Sequence, residues 1–240
     1  MTVYKDSRRI DFVTQADWQE TQRLLKTAFY TNIRSTKAVY DIQFGHAERP
    51  THWNTSWDWA RYEVCGHKWA DLSENGYGVS LLNDCKYGYS IKDNAVKLSL
   101  LKSAVYPDTT ADKGVHEFIY SLYPHIGNVT EGGTIEAANQ LNLPAQVISG
   151  VFTDRRKLVE VSSDCVQIDA VKKAEEEDCL IVRLHECRGG RRKVTLTSQF
   201  DVKRIVPCNL LEHDTGEAVE GSKVSFEVTP FMIKTFKLYL

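Results

Sequence analysis

Short runs in which apolar and polar residues alternate with a period of two recur from one end of the chain to the other, and a chain patterned this way builds sheets with one face dry and one face wet. In AVYDIQF, Tyr40, Ile42 and Phe44 fall on one face while Asp41 and Gln43 take the other. In EFIYSLY, Phe118, Tyr120 and Leu122 share a face. RIDFV, LLKTAFY, RYEVC, GVSLL, VKLSLL, LIVRL, KVTLT, VSFEV and MIKTFKLYL are further strand candidates, rich in β-branched and aromatic residues. Turn formers separate many of them: Asn75-Gly76, Lys92-Asp93-Asn94, Gly189-Gly190 and Asp214-Thr215-Gly216. The one helical pattern is TIEAANQLN, residues 134–142, stopped by Pro144. Many short strands and little helix predict an all-β, sandwich architecture.

The composition changes across the turn-rich stretch 125–148, which reads as a seam between two sandwiches, residues 1–145 and 146–240. All five Trp and ten of the eleven Tyr precede it, and only Tyr239 follows. The charged run KKAEEED, residues 172–178, reads as a solvated turn or edge.

A net charge of −2 gives no basic face for nucleic acid, and no apolar run reaches the roughly 20 residues a membrane span needs. The polar N-terminus lacks a signal-peptide core. Six cysteines form no CxxC pair, and several, such as Cys65 and Cys179, lie in apolar strand-like runs, so they read as buried thiols of a reducing compartment. The seven histidines show no HxH, HxxxH or HxD ligand spacing, so no metal site is expected in this chain. There is no phosphate loop and no GxSxG elbow. Asn54-Thr55-Ser56 and Asn128-Val129-Thr130 match the glycosylation sequon, which matters only in a secreted protein.

Two segments carry chemistry of their own. Four of the five tryptophans fall within residues 48–74, and on a strand Trp57 and Trp59 would share a face. Such a pair serves either as core packing or as a flat platform for the C–H face of a sugar ring. Core packing is the first reading, and the interleaved Arg49, His52, Asn54 and Asp58 strengthen the alternative of a ligand-facing loop, because a pure core carries few polar groups. In LLNDCKYGYS, residues 81–90, an apolar strand runs into Asn83, Asp84, Lys86 and Tyr87, which form either a plain hairpin turn or a loop presented to a neighbouring domain.

Residues 40–88, containing YDIQFGHAERPTHWNTSWDWARYEVCGHKWADLSENGYGVSLLNDCKYG, resemble the C-terminal region of glycoside hydrolase family 38, most of all its cytosolic and bacterial α-mannosidase branch. The likeness continues through RIDFVTQADWQETQRLLKTAFYTNIRS, LSLLKSAVYPDTTADKGVHEFIYSLYPHIG, EAANQLNLP and, more weakly, AVKKAEEEDCLIVRLHEC and VTPFMIKTFKL. It implies a large antiparallel β-sandwich of the galactose mutarotase-like supersandwich type followed by a smaller β-sandwich. It also implies a parent enzyme that is a retaining exo-α-mannosidase acting on mannose-containing oligosaccharides. In that parent a zinc ion and the nucleophilic Asp reside on an N-terminal catalytic domain, which would be this chain's partner. No zinc or nucleophile motif of the family matches a position here, so the chain by itself is expected to hold no cofactor and to be inactive. The resemblance favours a cytoplasmic location and leaves open whether the parent is a homo-oligomer. In the Golgi and lysosomal branch the segment similar to LLNDCKYG carries an Asp-Arg pair that reaches toward the catalytic centre. Asp84 matches that Asp, Cys85 stands where the Arg would be, and Lys86 is next to it. The site or interface candidates are therefore Arg49, His52, Asn54, Trp57 and Asp58 in one segment, and Asn83, Asp84, Lys86 and Tyr87 in the other. A stand-alone carbohydrate-binding sandwich is the competing expectation.

Overall fold

The structure is a computed structural model, and it describes residues 1–151 and 157–240. The chain divides into two compact units, Met1–Val147 and Ile148–Leu240. In the first unit the strands are β1 (Thr2–Val3), β2 (Ile10–Trp18), β3 (Leu24–Tyr30), β4 (Lys37–Ile42) and β5 (Gly45–Pro50). A short helix α1 (Ser56–Ala60) leads to β6 (Val64–Cys65), β7 (Trp69–Glu74), β8 (Tyr77–Asn83), β9 (Gly88–Lys92), β10 (Ala95–Lys102) and β11 (Gly114–Ile126), and helix α2 (Thr134–Asn142) closes the unit. A seven-stranded sheet, β1-β2-β11-β8-β7-β4-β5, faces a four-stranded sheet, β3-β10-β9-β6, and the pairings are antiparallel. Tyr40, Leu72, Val79, Leu81 and Phe118 from the first sheet and Tyr89, Ile91, Val96 and Leu98 from the second make one buried cluster, the core of a sandwich.

Where one face of a strand is wet the alternation survives, as over residues 12–18 of β2 and 114–118 of β11, whereas further along β11 Ser121 and His125 are buried on the other face as well. Strand β8 is different, because Gly78 to Asn83 are all buried. Val79 and Leu81 join the inter-sheet core, while the Ser80 hydroxyl on the other face lies 2.7 Å from that of Thr134 in α2. Helix α2 thus covers the second face of the sheet, and a strand dry on both faces loses its period. Its contact is pinned by a buried polar cluster. Asp71 accepts from Ser80 at 2.7 Å and from Ser73, and lies 2.7 Å from His125 Nε2. Gly78 and Gly132 press against the imidazole so closely that a Cβ on either would overlap it, at 2.3 Å and 2.1 Å.

The second unit holds β12 (Val159–Val161), β13 (Val166–Lys173), β14 (Leu180–Glu186), β15 (Arg192–Ser198), β16 (Arg204–Cys208), β17 (Val219–Glu220), β18 (Lys223–Val228) and β19 (Ile233–Tyr239). They form a three-stranded sheet, β12-β15-β18, and a five-stranded sheet, β13-β14-β19-β16-β17, around a core that includes Val182, Leu184, Val194, Leu196, Ile205 and Phe236. The fully buried Glu186 carboxylate accepts four backbone N–H groups: Arg188 and Gly190 at 3.0 Å each on Oε1, Gly189 at 2.9 Å and Phe231 at 3.0 Å on Oε2. The charged run does more than face solvent. Glu177 binds Lys237 and the Tyr239 hydroxyl, and Lys237 also meets Asp214 at 2.9 Å. Burial works against the Lys237 charge, but these two carboxylates hold its pKa above the ordinary lysine value.

Three expectations need correction. The alternation of AVYDIQF stops at Ile42, because Phe44 sits in a turn with φ of +54° and does not continue the face of Tyr40. RYEVC supplies only the two-residue strand β6, and Cys65 on it is exposed. Four cysteines are buried, but Cys85 is exposed as well, and none of the six forms a disulfide.

Candidate functional site

The tryptophan segment is not a strand. Thr55 begins α1 with a capping box: its side chain accepts from the Asp58 N–H at 3.2 Å, and Asp58 Oδ2 accepts from the Thr55 N–H at 3.2 Å and hydroxyl at 2.9 Å. Those Thr55 bonds, aided by His52 and Arg61, outweigh burial and hold the Asp58 carboxyl below its usual pKa of 3.8. Asp58 is therefore spent on the helix it starts, and is not offered to a ligand. The shared face expected of Trp57 and Trp59 is overturned for the same reason, since residues two apart on a helix point in different directions. Trp59 instead meets Trp53, ring centroids 5.8 Å apart, and both Trp57 and Trp59 are largely exposed. Asn54 is exposed. His52 Nδ1 lies 3.6 Å from Asp58 Oδ2, and the Arg49 guanidinium stacks on the buried Tyr40 ring at 4.6 Å.

The second segment forms the loop between β8 and β9. Asn83 is fully buried and works inward: its Nδ2 donates to the His67 carbonyl at 2.8 Å and to the Tyr89 hydroxyl, and its Oδ1 accepts the Lys86 N–H. It cannot touch a ligand, so the expectation of Asn83 as a contact residue gives way to a role in shaping the loop. Asp84 docks on β11 by a reciprocal pair, its N–H on the Ile119 carbonyl at 3.1 Å and its Oδ2 accepting the Ile119 N–H at 2.9 Å. Lys86 lays its ammonium over the Phe118 ring at 4.4 Å, and the exposed Tyr87 meets His67 edge-on at 5.7 Å. Partial burial and the Asp84 carboxylate push the Cys85 thiol up to about 11.

The two segments do not converge on one pocket. The loop 84–87 precedes β9, whereas Trp53 sits at its far end, 3.9 Å beneath the Lys92 ammonium. Four residue steps of a strand separate Gly88 from Lys92, about 13 Å. The chain from His52 returns along this edge until Val64 and Cys65 pair with Tyr89 and Gly88. The first unit thus presents an edge with exposed indoles along it and a charged loop at one end. Among the described residues no group of three or more His, Cys, Asp or Glu side chains is placed so that it could hold a metal ion. Nor does any described helix have the length and apolarity to cross a membrane.

The local sequence signal for α1 is Thr55-Ser56-Trp57-Asp58, a capping-box pattern that reasoning from tryptophan spacing passed over. The inward duties of Asn83 had no such signal, because His67, Tyr89 and the helix beneath it are brought together only by the fold.

Residues 1–110 match the glycosyl hydrolases family 38 C-terminal domain, and residues 165–236 match the family 38 C-terminal beta sandwich domain. Alpha-mannosidase G of Dictyostelium discoideum is 42% identical over 98% of this chain, which covers 22% of that protein. Human alpha-mannosidase 2C1 is 40% identical over 96% of the chain, covering 23% of its own length. An alpha-mannosidase of Saccharomyces cerevisiae is 35% identical over 96%, covering 24% of its length. The crystal structure of an alpha-mannosidase from Enterococcus faecalis V583 superposes over 98% of this chain with a TM-score of 0.82 at 18% identity, a likeness of fold that takes in 28% of that chain. The chain spans about a quarter of the length of these relatives.

Proposed function

The chain belongs to the C-terminal region of glycoside hydrolase family 38, and from that premise we propose that it is the all-β part of a retaining exo-α-mannosidase that releases terminal α-D-mannosyl residues from oligosaccharides. The observation that carries this is identity of 40–42% with named alpha-mannosidases, spread over 96–98% of the chain and so through both units. In this reading the upstream portion supplies zinc and the nucleophile, and the present residues complete the centre from outside. The loop 84–87 is the contributing element, with Asp84 and Lys86 as its charges and Tyr87 as its exposed ring. Arg49, His52, Asn54 and Trp57 belong to the interface edge, with Asp58 as the brace that holds α1. The exposed Trp57, and the exposed Trp59 set against Trp53, support an edge covered in the whole protein, since large aromatic side chains are enriched where partners meet. The free thiols suit a reducing, cytoplasmic compartment.

The same indoles favour a second reading, a self-sufficient carbohydrate-binding module. One experiment separates the two. The chain is titrated with mannose while Trp fluorescence is followed, and it is then assayed on an aryl α-D-mannoside with and without the upstream portion. No saturable binding by the chain alone, together with hydrolysis only after the upstream portion is added, supports the enzyme part. Saturable binding with no gain of hydrolysis defeats it in favour of the module.

A further inference from the structure

The loop 84–87 is held from beneath by a helix that the sequence places some fifty residues later. Asn142, in the last turn of α2, donates from Nδ2 to the buried carbonyl of Asn83 at 2.9 Å and to Ala138 O, also at 2.9 Å. One turn earlier on the same face, Asn139 Oδ1 accepts from Lys68 Nζ at 2.9 Å, and Lys68 O accepts the Asn83 N–H at 3.0 Å. Asn142 therefore grips the end of β8, from which the loop rises, and Asn139 holds Lys68, just before β7, which in turn holds the Asn83 N–H. Asn83 then passes the constraint upward through the Lys86 N–H on its Oδ1, and Asp84 passes it sideways to Ile119. At its other end α2 is fixed by the Thr134–Ser80–Asp71–His125 cluster, so the helix is a stiff brace anchored away from the loop it supports.

We propose that Asn142 is a positioning residue for the mannosidase reaction, setting the loop Asp84–Tyr87 through the Asn83 carbonyl. This rests on the reading of that loop as the element that completes the catalytic centre. Removing the Nδ2 donor leaves a buried carbonyl without its partner, and an opening equilibrium that loses one such bond shifts by about tenfold.

The test uses Asn142→Ala and the near-isosteric Asn142→Asp, which keeps the volume and loses the N–H donors. Backbone amide hydrogen exchange of the 240-residue chain is read at Asp84 and Lys86, with Leu81 and Leu98 as core references. Exchange at Asp84 and Lys86 rises about tenfold in both variants while the core amides are unchanged. Unchanged loop amides, or loop and core amides rising together, overturn the brace whatever the enzyme does. The chain joined to its upstream portion is then assayed for hydrolysis of an aryl α-D-mannoside. The proposal expects kcat to fall with KM nearly unchanged, as misplacement of a catalytic element requires. Loosened loop amides with unaltered kcat leave the brace standing and overturn its catalytic role, and the loop's place at the centre with it.

Discussion

Glu186→Gln replaces one oxygen of a fully buried carboxylate by an NH2 group and leaves the shape intact. In the native protein four backbone N–H groups converge on the two oxygens, at 2.9–3.0 Å. A glutamine accepts two of them and turns its own N–H groups toward the other two. Each buried amide donor left without an acceptor costs about 1–3 kcal/mol, so the substitution costs at least about 2 kcal/mol even after relaxation. Two of the four donors, Gly189 and Phe231, sit at φ of +75° and +60°, the second an uncommon conformation for a residue with a side chain. For a unit of this size each kcal/mol lowers Tm by about 4–8 °C, which predicts a fall of about 8–16 °C. All five tryptophans lie in the first unit, so Trp fluorescence follows that unit while calorimetry follows both. The expected result is a calorimetric transition of the second unit moved down by that amount, with the fluorescence transition in place. A second-unit transition within about 2 °C of the parent would refute the reasoning, because the carboxylate would then not be holding the four amides.

Burial works to raise the Asp11 carboxyl, but Arg9, Ser121 and Tyr4 outweigh it and hold the group below 3.8. Its contribution is therefore fully present above the unfolded value and lost as pH falls through the lower folded value. Acid unfolding of Asp11→Asn, followed by Trp fluorescence, should show a shallower dependence on pH below about 4 than the parent, and equal slopes would count against the Arg9–Asp11 pair. Gly132→Ala should lower the fluorescence Tm, because its Cβ would lie 2.1 Å from His125 Nδ1 with the ring closed in by Gly78 on its other side; overpacking of this kind costs about 1–3 kcal/mol, and an unchanged Tm would mean that α2 has room to retreat.

The strands that alternate were legible where one of their faces is wet, as over residues 12–18 of β2 and 114–118 of β11. Helix α2 was legible from its composition and from Pro144, and it spans residues 134–142 as expected. That it would dry the second face of β8 was not, since the bond from Thr134 to Ser80 crosses 54 residues. The tryptophan segment misled for a local reason: a capping box between Thr55 and Asp58 turns a strand-like WDW into helix and sends its two indoles apart. The loop after β8 could be singled out from its charged residues, but not the inward turn of Asn83 or its support by Asn142. Glu186 carried no signal at all, because its four partners are backbone groups.

The most direct test of the account is the kcat/KM of the chain joined to its upstream portion, compared between the parent and Asp84→Asn on an aryl α-D-mannoside. The substitution removes the charge and keeps an oxygen for the Ile119 N–H. With Asp84 at the reacting centre, kcat/KM falls about tenfold or more while the fluorescence Tm is unchanged. Undiminished kcat/KM would contradict that placement, since the loop would then lie outside the reacting centre.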